Sequence, residues 1–398
     1  MMMLKQIAIA AVLAFTPQVA HADAKFESFV QSLWPRIKAA GFSRDLFDQA
    51  FAGVTEADAD VLKLAATQPE FTKATSDYLL KAVTPIRIDT GKTMAATNEE
   101  LLAAIEAKYG VSRYALLGIW GMESNFGKDL GNMGVMRSLA TLIYAGRKRD
   151  FANEQMIAAF TMLKRGIRPA DNFKGSWAAA MGHTQFIPTS YLSYAADWDG
   201  DGRKDIWGSK EDALASTANY LAKAGWKADR PWGWEVKLPE GFDRSLIGRK
   251  HWRPVSEWMA LGLVPATVKN FGSKAAPAFV MIPQGIDGPV FLVTQNFMAI
   301  MDYNQSHSYA LAVGHLGDRI KGGAAIQAAW PDASVDLTVP QRKELQRLLN
   351  AKGFTTGGAD GRIGAATYEA VLQFQKKHGL PLNGVPSVKV LEQIRKGG

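Results

Sequence analysis

A chain of 398 residues with 47% hydrophobic composition is long enough for one large core or for two to three domains. It contains no cysteine, which excludes disulfides, thiol catalysis, Cys-ligated zinc and a cysteine-linked lipid anchor. The formal net charge of +8 suits an anionic partner, and a cell wall, a nucleic acid and a membrane surface all meet that description. Charge alone therefore does not choose among these partners.

The first 22 residues have the composition of a secretory signal peptide. Lys5 precedes an apolar run at residues 7–15, and Ala20-His21-Ala22 supplies the small-residue cleavage pattern. The run is too short for a membrane span, and an uncleaved N-terminal anchor is the alternative. We therefore expect an exported, periplasmic and soluble protein that is a monomer and has no membrane span in its mature chain.

Helical spacing of apolar residues dominates the chain as far as about residue 225. Near the start, Phe26, Phe29, Val30 and Leu33 share one helix face, and Ser43 has the character of an N-cap. Further helices are expected over residues 70–83, 98–108, 113–126 and 135–163, the last with a polar interruption at 147–149. This part of the chain is predicted to be a helical domain.

The pattern changes after Trp226. Short apolar runs at 232–238, 278–282 and 290–293 are bounded by proline and glycine, and they predict a small sheet inserted at about residues 230–296. Helical spacing then returns and ends near Gly322. A linker at 326–334 separates the main region, 23–325, from a compact tail at 335–398, whose helices are expected at 337–349, 365–378 and 388–394.

One carboxylate, Glu123, lies among Trp120, Met122 and Phe126. If the helix ends at Phe126 with Gly127 as its cap, Glu123 occupies the last turn, where the helix dipole and desolvation both favour a protonated carboxyl group. A glutamic acid that is neutral near pH 7 is suited to act as a general acid. The alternative is a solvated glutamate on the outer face of a buried helix.

The segment 175–191 combines small residues with neutral polar ones. Ser176, Gln185 and Tyr191 supply hydrogen-bonding groups beside aromatic rings, which is typical of a sugar-binding cleft. Tight helix packing through alanine and glycine explains the same composition equally well. We interpret His183 as a structural histidine and not as a catalytic base.

An acidic loop follows the pattern of an EF-hand calcium site, in which hard oxygen ligands converge on one ion. Carboxylates occupy relative positions one, three, five and nine, and glycine occupies position six: Asp197, Asp199, Asp201, Asp205 and Gly202. Position twelve is Gly208 where a bidentate glutamate is expected, so Glu211 or Asp212 would close a longer loop. The pattern predicts a structural calcium ion, with a metal-free cluster of Asp-Gly turns as the alternative.

Tyr303, Asn304 and Tyr309 form the last informative group. They either line a polar groove or belong to a helix start that Asn304 or Ser306 caps. With the three preceding segments they complete four motifs in a fixed order.

This set of motifs resembles the lytic murein transglycosylase B family, bacterial enzymes that cleave peptidoglycan glycan strands without hydrolysis. The resemblance is carried by Glu-Ser-Asn-Phe-Gly at Glu123, the run from Ser176 to Phe186, the acidic loop followed by Ala218-Asn219-Tyr220, and the tyrosine group at 303–309. It covers roughly residues 25–322. The tail is similar to the small three-helix peptidoglycan-binding domain found on many wall enzymes.

The resemblance implies a mainly α (α+β) protein: a lysozyme-like helical core with an extra helical domain, a small β insertion and a C-terminal three-helix module. It places the catalytic glutamate at Glu123. The glycan subsites that it implies consist of Ser176, Gln185, Phe186, Tyr220, Tyr303, Asn304, Tyr309, Arg147 and Tyr78, with Arg147 chosen from the 147–149 run. For calcium it implies Asp197, Asp199, Asp201, Arg203 and Asp212, and it implies no cofactor for the chemistry.

Glycosidases normally use two carboxylates, but only Glu123 lies in a stretch that resembles a catalytic one. The implied reaction uses the substrate's own N-acetyl group and closes a 1,6-anhydro ring on N-acetylmuramic acid (MurNAc). The rival hypotheses are a hydrolytic, lysozyme-type muramidase and a wall-binding scaffold without catalysis. Nucleic-acid binding is disfavoured because we find no recognition helix or basic-aromatic array. The expected partners are peptidoglycan glycan strands, with other cell-wall enzymes as further candidates.

Overall fold

The computed structural model describes residues 20–67, 74–168, 172–331 and 337–397. These residues are mainly α-helical with small sheets, which confirms the predicted fold class. Residues 1–19 of the predicted signal peptide lie outside the described residues. Across the described ranges, no helix combines the length and the apolar character that a membrane span needs.

A first group of helices encloses a core rich in aromatic side chains, among them Phe26, Phe47 and Phe160. As predicted, Ser43 caps one of these helices, because its side chain accepts a hydrogen bond from Leu46 N. The group consists of α1 (Ala20–Ser32), α2 (Trp34–Ala39), α3 (Arg44–Ala50), α4 (Ala59–Thr67), α9 (Val135–Tyr144) and α10 (Arg149–Lys164).

A second group of helices surrounds its own core and carries Glu123. It consists of α5 (Thr75–Ala82), α6 (Pro85–Thr97), α7 (Glu99–Tyr109), α8 (Arg113–Ser124), α12 (Lys210–Lys223), α14 (Gln295–Tyr303) and α15 (His307–Ile320). The short helix α11 (Pro188–Tyr194) lies between the two groups, in contact with α10 and α12. Two-residue strands β1 (Met133–Gly134) and β2 (Lys174–Gly175) pair as a small ladder in contact with α9.

Helices α8 and α15 run antiparallel and unusually close together, because glycine lies at their contact points. A Cβ atom on Gly317 would lie 2.5 Å from the carbonyl oxygen of Tyr114, and one on Gly118 would overlap the carbonyl oxygen of Val313. Only residues without a side chain fit at these two positions. The close approach sets the first turn of α15 directly beside the last turn of α8.

The β insertion is a five-stranded antiparallel sheet with the order β4-β6-β7-β3-β5. The three predicted strands are present, but the two edge strands were not predicted. Each edge strand has only two residues and contains a proline, so no alternation was visible. The strands are β3 (Gly233–Lys237), β4 (Arg253–Pro254), β5 (Val264–Pro265), β6 (Pro277–Met281) and β7 (Val290–Thr294), with α13 (Val255–Ala260) between β4 and β5.

The C-terminal module has three helices, α16 (Val339–Ala351), α17 (Ala365–Lys377) and α18 (Val388–Arg395), around a small core of its own. It packs against the β insertion, since Tyr368 and Leu372 join the hydrophobic cluster on that sheet. The segment leading to it is held as well: the buried Glu235 carboxylate accepts hydrogen bonds from the backbone N–H groups of Gln327 and Ala328. The module is thus docked on the catalytic region.

Candidate active site

Glu123 lies half-buried in the last turn of α8, where its Oε1 accepts a hydrogen bond of 2.5 Å from the Tyr309 hydroxyl. Tyr309 reaches it from the first turn of α15, which the Ser306 side chain caps. Burial raises the pKa of Tyr309 well above its ordinary value, and the nearby Glu123 charge raises it further. The phenol therefore remains a hydrogen-bond donor to Glu123 Oε1 at neutral pH.

The end of α8 differs from the prediction. The helix stops at Ser124, before Phe126, because Asn125, Phe126 and Gly127 all adopt left-handed φ angles of 51°, 61° and 85°. The Ser124 hydroxyl accepts a hydrogen bond from Gly127 N and donates one to the carbonyl oxygen of His183. This turn ties the catalytic helix to the segment that contains Ser176 and Gln185.

His183 contacts the same turn through its ring. Its Nδ1 accepts a hydrogen bond of 3.2 Å from Trp120 Nε1, and a Cβ atom on Gly127 would overlap the imidazole. Burial lowers the pKa of His183, so the neutral ring remains an acceptor for the indole. These contacts agree with the interpretation of His183 as structural.

Ser176 and Gln185 shape the loop on which they lie. Ser176 Oγ accepts hydrogen bonds from the backbone N–H groups of Ala178 and Ala180. Gln185 Nε2 donates to the carbonyl oxygens of Leu130 and Gly182. Within the described part of the chain, these bonds leave the Ser176 hydroxyl hydrogen and the Gln185 side-chain carbonyl for a ligand.

Aromatic side chains from the neighbouring helices pack together beside this loop. The ring of Tyr220 lies 4.9 Å from that of Tyr303 and 6.1 Å from that of Phe186. The Tyr303 hydroxyl donates to the carbonyl oxygen of Thr184, and the Tyr220 hydroxyl donates to that of Asp302. Phe186 is only 2% exposed, and its place in a glycan subsite stays a prediction. It supports the two tyrosines from behind.

The remaining predicted cleft residues divide into two groups. Asn304 is partly exposed at the end of α14, and Tyr78 on α5 lies near enough to Tyr309 to raise its pKa. Arg147 is exposed at the turn between α9 and α10, whereas its neighbour Lys148 lies 5.2 Å above the ring of Trp177. Lys148 is thus the cation in contact with the residue after Ser176. The polar interruption at 147–149 indicated a cation in this part of the sequence, but the pattern did not distinguish Lys148 from its two neighbours.

The acidic loop brings three of the predicted metal ligands together. Carboxylate oxygens of Asp197, Asp199 and Asp201 lie within 4.8 Å of one another, as the oxygen donor set of a calcium site requires. Asp212 is buried behind them, and its two oxygens accept hydrogen bonds from Trp198 N and Asp205 N. Arg203 directs an exposed side chain outward, with Nε 3.5 Å from Asp201 Oδ2. Asp212 therefore holds the loop in shape from outside the cluster of three.

Comparison with known proteins identifies both parts of the chain. A sequence profile described as a transglycosylase SLT domain matches residues 25–318, and a peptidoglycan binding domain profile matches residues 338–394. Membrane-bound lytic murein transglycosylase B of Escherichia coli (strain K12) is 32% identical over 251 residues. That match covers 61% of this chain and 66% of the relative, just under two thirds of its length.

Two solved structures extend the comparison. SltB3 from Pseudomonas aeruginosa, in complex with NAG-anhNAM-pentapeptide, is similar over 93% of this chain and 99% of that chain, with 45% identity and a TM-score of 0.82. The Escherichia coli lytic transglycosylase Slt35, in complex with calcium, is similar over 74% of this chain and 92% of that chain. It is 27% identical, with a TM-score of 0.58.

Proposed function

This chain belongs to the transglycosylase SLT family, and we infer that it is a lytic transglycosylase that cleaves the β-1,4 bond between MurNAc and N-acetylglucosamine (GlcNAc) in peptidoglycan without consuming water. The observation that carries this inference is the Glu123 carboxyl group at the end of α8, bound by the Tyr309 hydroxyl. The two other carboxylates nearby in sequence, Asp129 and Asp150, have exposed side chains. The chemistry is therefore assigned to one carboxyl group.

Glu123 acts twice in the proposed reaction. As an acid it gives its proton to the glycosidic oxygen, the C1–O bond of MurNAc breaks, and the 2-acetamido oxygen stabilises the anomeric carbon. As a base it then takes the proton of the MurNAc 6-hydroxyl, whose oxygen bonds to C1 and displaces the acetamido oxygen. The products are a free GlcNAc 4-hydroxyl and a 1,6-anhydro ring, and Glu123 returns to its protonated form.

The products test this mechanism directly. Purified sacculi digested with the full-length protein should release fragments with 1,6-anhydroMurNAc ends, which mass spectrometry separates from hydrated ends because they lack one water. Hydrated reducing ends would identify a lysozyme-type muramidase instead. Sacculi that remain intact would favour the wall-binding scaffold.

Replacing Tyr309 with phenylalanine should lower kcat by about 10- to 100-fold, because Glu123 becomes negatively charged as it gives up its proton and a hydrogen bond to a charged group contributes roughly 1.5–3 kcal/mol. The substitution removes only the hydroxyl that holds Glu123. Tyr144→Phe is the matched control, since that ring is 41% exposed and lies in the other helical group. Initial rates on purified peptidoglycan decide the matter, and a wild-type kcat in Tyr309→Phe would contradict a positioning role.

The C-terminal module adds a second attachment to the same polymer. Its residues 338–394 match the peptidoglycan binding domain profile, and it is docked through Tyr368 and Leu372 on the β insertion. Glycan strands are therefore the partner of both parts of the chain. Deletion of residues 326–398 should weaken binding to sacculi in a pull-down assay, with circular dichroism used to confirm that the truncated protein is folded.

Calcium binding at the acidic loop is part of the proposal. It is supported by the three converging carboxylates and by the calcium complex of the similar Slt35 structure. Asp197, Asp199 and Asp201 would hold the ion and stiffen the loop, and no step of the reaction depends on it.

Excess calcium should therefore raise the melting temperature, because a ligand that binds only the folded state adds roughly RT ln(1 + [L]/Kd) to its stability. Differential scanning fluorimetry with calcium and then with chelator measures the shift. Asp199→Asn should abolish it, whereas the exposed Asp129→Asn should not. An unchanged melting temperature in the wild type would rule the metal out.

Export completes the proposed function, since peptidoglycan lies outside the cytoplasm. Residues 1–22 would act as the signal peptide that delivers the protein to the periplasm. The periplasmic fraction of expressing cells should contain a protein whose mass, measured by mass spectrometry, corresponds to a chain that begins at Asp23. A full-length mass in that fraction would support an uncleaved anchor.

A further inference from the structure

A cavity of about 520 Å³ lies between the catalytic region and the C-terminal module. Three parts of the chain line it: Arg249 and Lys250 from the β insertion, residues 305–308 from the turn after α14 and the start of α15, and residues of the module. Its volume falls within the roughly 300–1,000 Å³ that ligand sites occupy. The cavity is distinct from the Glu123 site, but residues 305–308 connect Tyr303 to Tyr309 and so link the two.

The cavity has a fixed shape because the module meets the β insertion closely beside it. The Glu369 carboxylate accepts a hydrogen bond from Arg249 N, and a Cβ atom on Gly248 would overlap the Glu369 side chain. Arg244 Nη1 donates to the carbonyl oxygen of Leu382 at 2.7 Å. Tyr368 is also buried at this junction, so these contacts fix the position of the module relative to the β insertion on the two sides of the cavity.

The charges in the cavity favour an anion. Arg362 is paired with Asp360 at 3.0 Å, and Glu369 is bound by Arg249 N and by Gln373. The exposed side chains of Arg249 and Lys250 have no carboxylate within 4.0 Å among the described residues. Three cations thus face two carboxylates that already have partners, and the surplus positive charge lies at the edge that the β insertion supplies.

The neutral part of the lining suits a peptide. Thr355 contributes an exposed hydroxyl group. Ser306, whose Oγ accepts from Tyr309 N, still has its hydroxyl hydrogen, and Gln373, whose amide donates to Glu369, still has its side-chain carbonyl for a peptide backbone. Burial lowers the pKa of His307 to about 4, so this ring is an uncharged wall at neutral pH. The similar SltB3 structure was solved with a sugar fragment that carries a pentapeptide.

We propose that this cavity binds the stem peptide of the glycan strand, with Arg249 and Lys250 holding a peptide carboxylate, so that the module and the catalytic region together select peptide-bearing strands. The proposal rests on the inferred transglycosylase function. Its ligand is a peptide with a free carboxylate, attached to a strand whose sugars occupy the Glu123 cleft.

Binding measurements test this assignment separately from the chemistry. The full-length Glu123→Gln variant, which should bind without turnover, is titrated calorimetrically with glycan fragments that carry a pentapeptide and with the same fragments after peptide removal. Arg249→Gln/Lys250→Gln in that background should lower the ratio of the two affinities by about tenfold, the effect of losing charge-assisted hydrogen bonds. Lys269→Gln/Lys274→Gln removes the same charge elsewhere on the β insertion and should preserve the ratio.

Fragments whose peptide carboxylates are converted to amides should bind weakly to the Glu123→Gln protein. Their affinity for it should be about the same as their affinity for the Glu123→Gln protein that also carries Arg249→Gln/Lys250→Gln. An affinity ratio that this double variant leaves unchanged would overturn the proposal. Equal competition by inorganic phosphate would overturn it too, since it would mark the cavity as a general anion site. Failure of the transglycosylase function would appear separately, as missing anhydro products from wild-type protein acting on peptide-bearing strands as well as on peptide-free ones.

Discussion

Glu123→Gln should lower kcat by about 10³-fold or more while leaving the melting temperature close to that of the wild type. Glutamine has the same shape, and its side-chain oxygen still accepts the hydrogen bond from Tyr309. It has no acidic proton for the glycosidic oxygen and cannot act as a base for the 6-hydroxyl. General acid–base catalysis contributes roughly 10²- to 10⁴-fold, and Glu123 serves both halves of the reaction, so the loss should lie in the upper part of that range.

Release of soluble anhydromuropeptides from sacculi, followed by chromatography, measures this loss. Asp129→Asn is the matched control, because it removes a nearby carboxylate whose side chain is exposed. It should retain wild-type rates. Full activity in Glu123→Gln would remove this residue from the acid–base role and leave the single-carboxylate mechanism without its central group.

Gly118→Ala should destabilise the catalytic region by about 2 kcal/mol and reduce activity as well. The new Cβ atom would overlap the backbone carbonyl of Val313, which cannot rotate away as a side chain can. Overpacking of this kind costs roughly 1–3 kcal/mol or more, against up to about 1 kcal/mol that alanine gains from helix propensity. The clash is therefore expected to outweigh the gain.

Activity falls in this variant because α8 and α15 carry Glu123 and Tyr309. Separating the two helices lengthens the hydrogen bond between these side chains, and small misplacements at a reacting centre are costly. Thermal unfolding and initial rates measure both effects. Gly134→Ala is the control, since its φ of −66° suits alanine and the nearest atom to the new Cβ would be 3.8 Å away. A Gly118→Ala protein as stable as Gly134→Ala would disprove the packing argument.

Much of the helical fold was predictable, because a helix depends on neighbours three and four residues apart. The spacing of Phe26, Phe29, Val30 and Leu33 placed α1, and Ser43 marked the start of α3. The expected helix at 98–108 is observed as Glu99–Tyr109. That expected at 70–83 is observed over Thr75–Ala82, with 68–73 outside the described residues.

Some local features were missed because long-range contacts fix them. The left-handed φ angles of Asn125 and Phe126 depend on Ser124 binding His183, a partner 59 residues away. Likewise Phe186 has the sequence context of a cleft residue, but the packing of Tyr220 and Tyr303 places it in the core. Neither the left-handed turn nor the burial of Phe186 can be recognised from residues close by in the sequence.

The sequence by itself determined the helical class of the protein, the position of Glu123 near a helix end, the grouping of acidic residues at 197–201 and the separate tail. These follow from residue type and short-range spacing, which persist in any compact arrangement of the chain. Only the tertiary structure decided that Tyr309 binds Glu123, that Asp212 holds the acidic loop from behind, and that the tail docks on the β insertion and forms a cavity lined by Arg249 and Lys250. The reason is physical, because each of these contacts joins groups that are far apart in the sequence. The distance between such groups depends on how closely the helices and the sheet pack. At positions such as Gly118 and Gly248, the lack of space for a side chain allows this close packing, and no short-range pattern in the sequence reveals it.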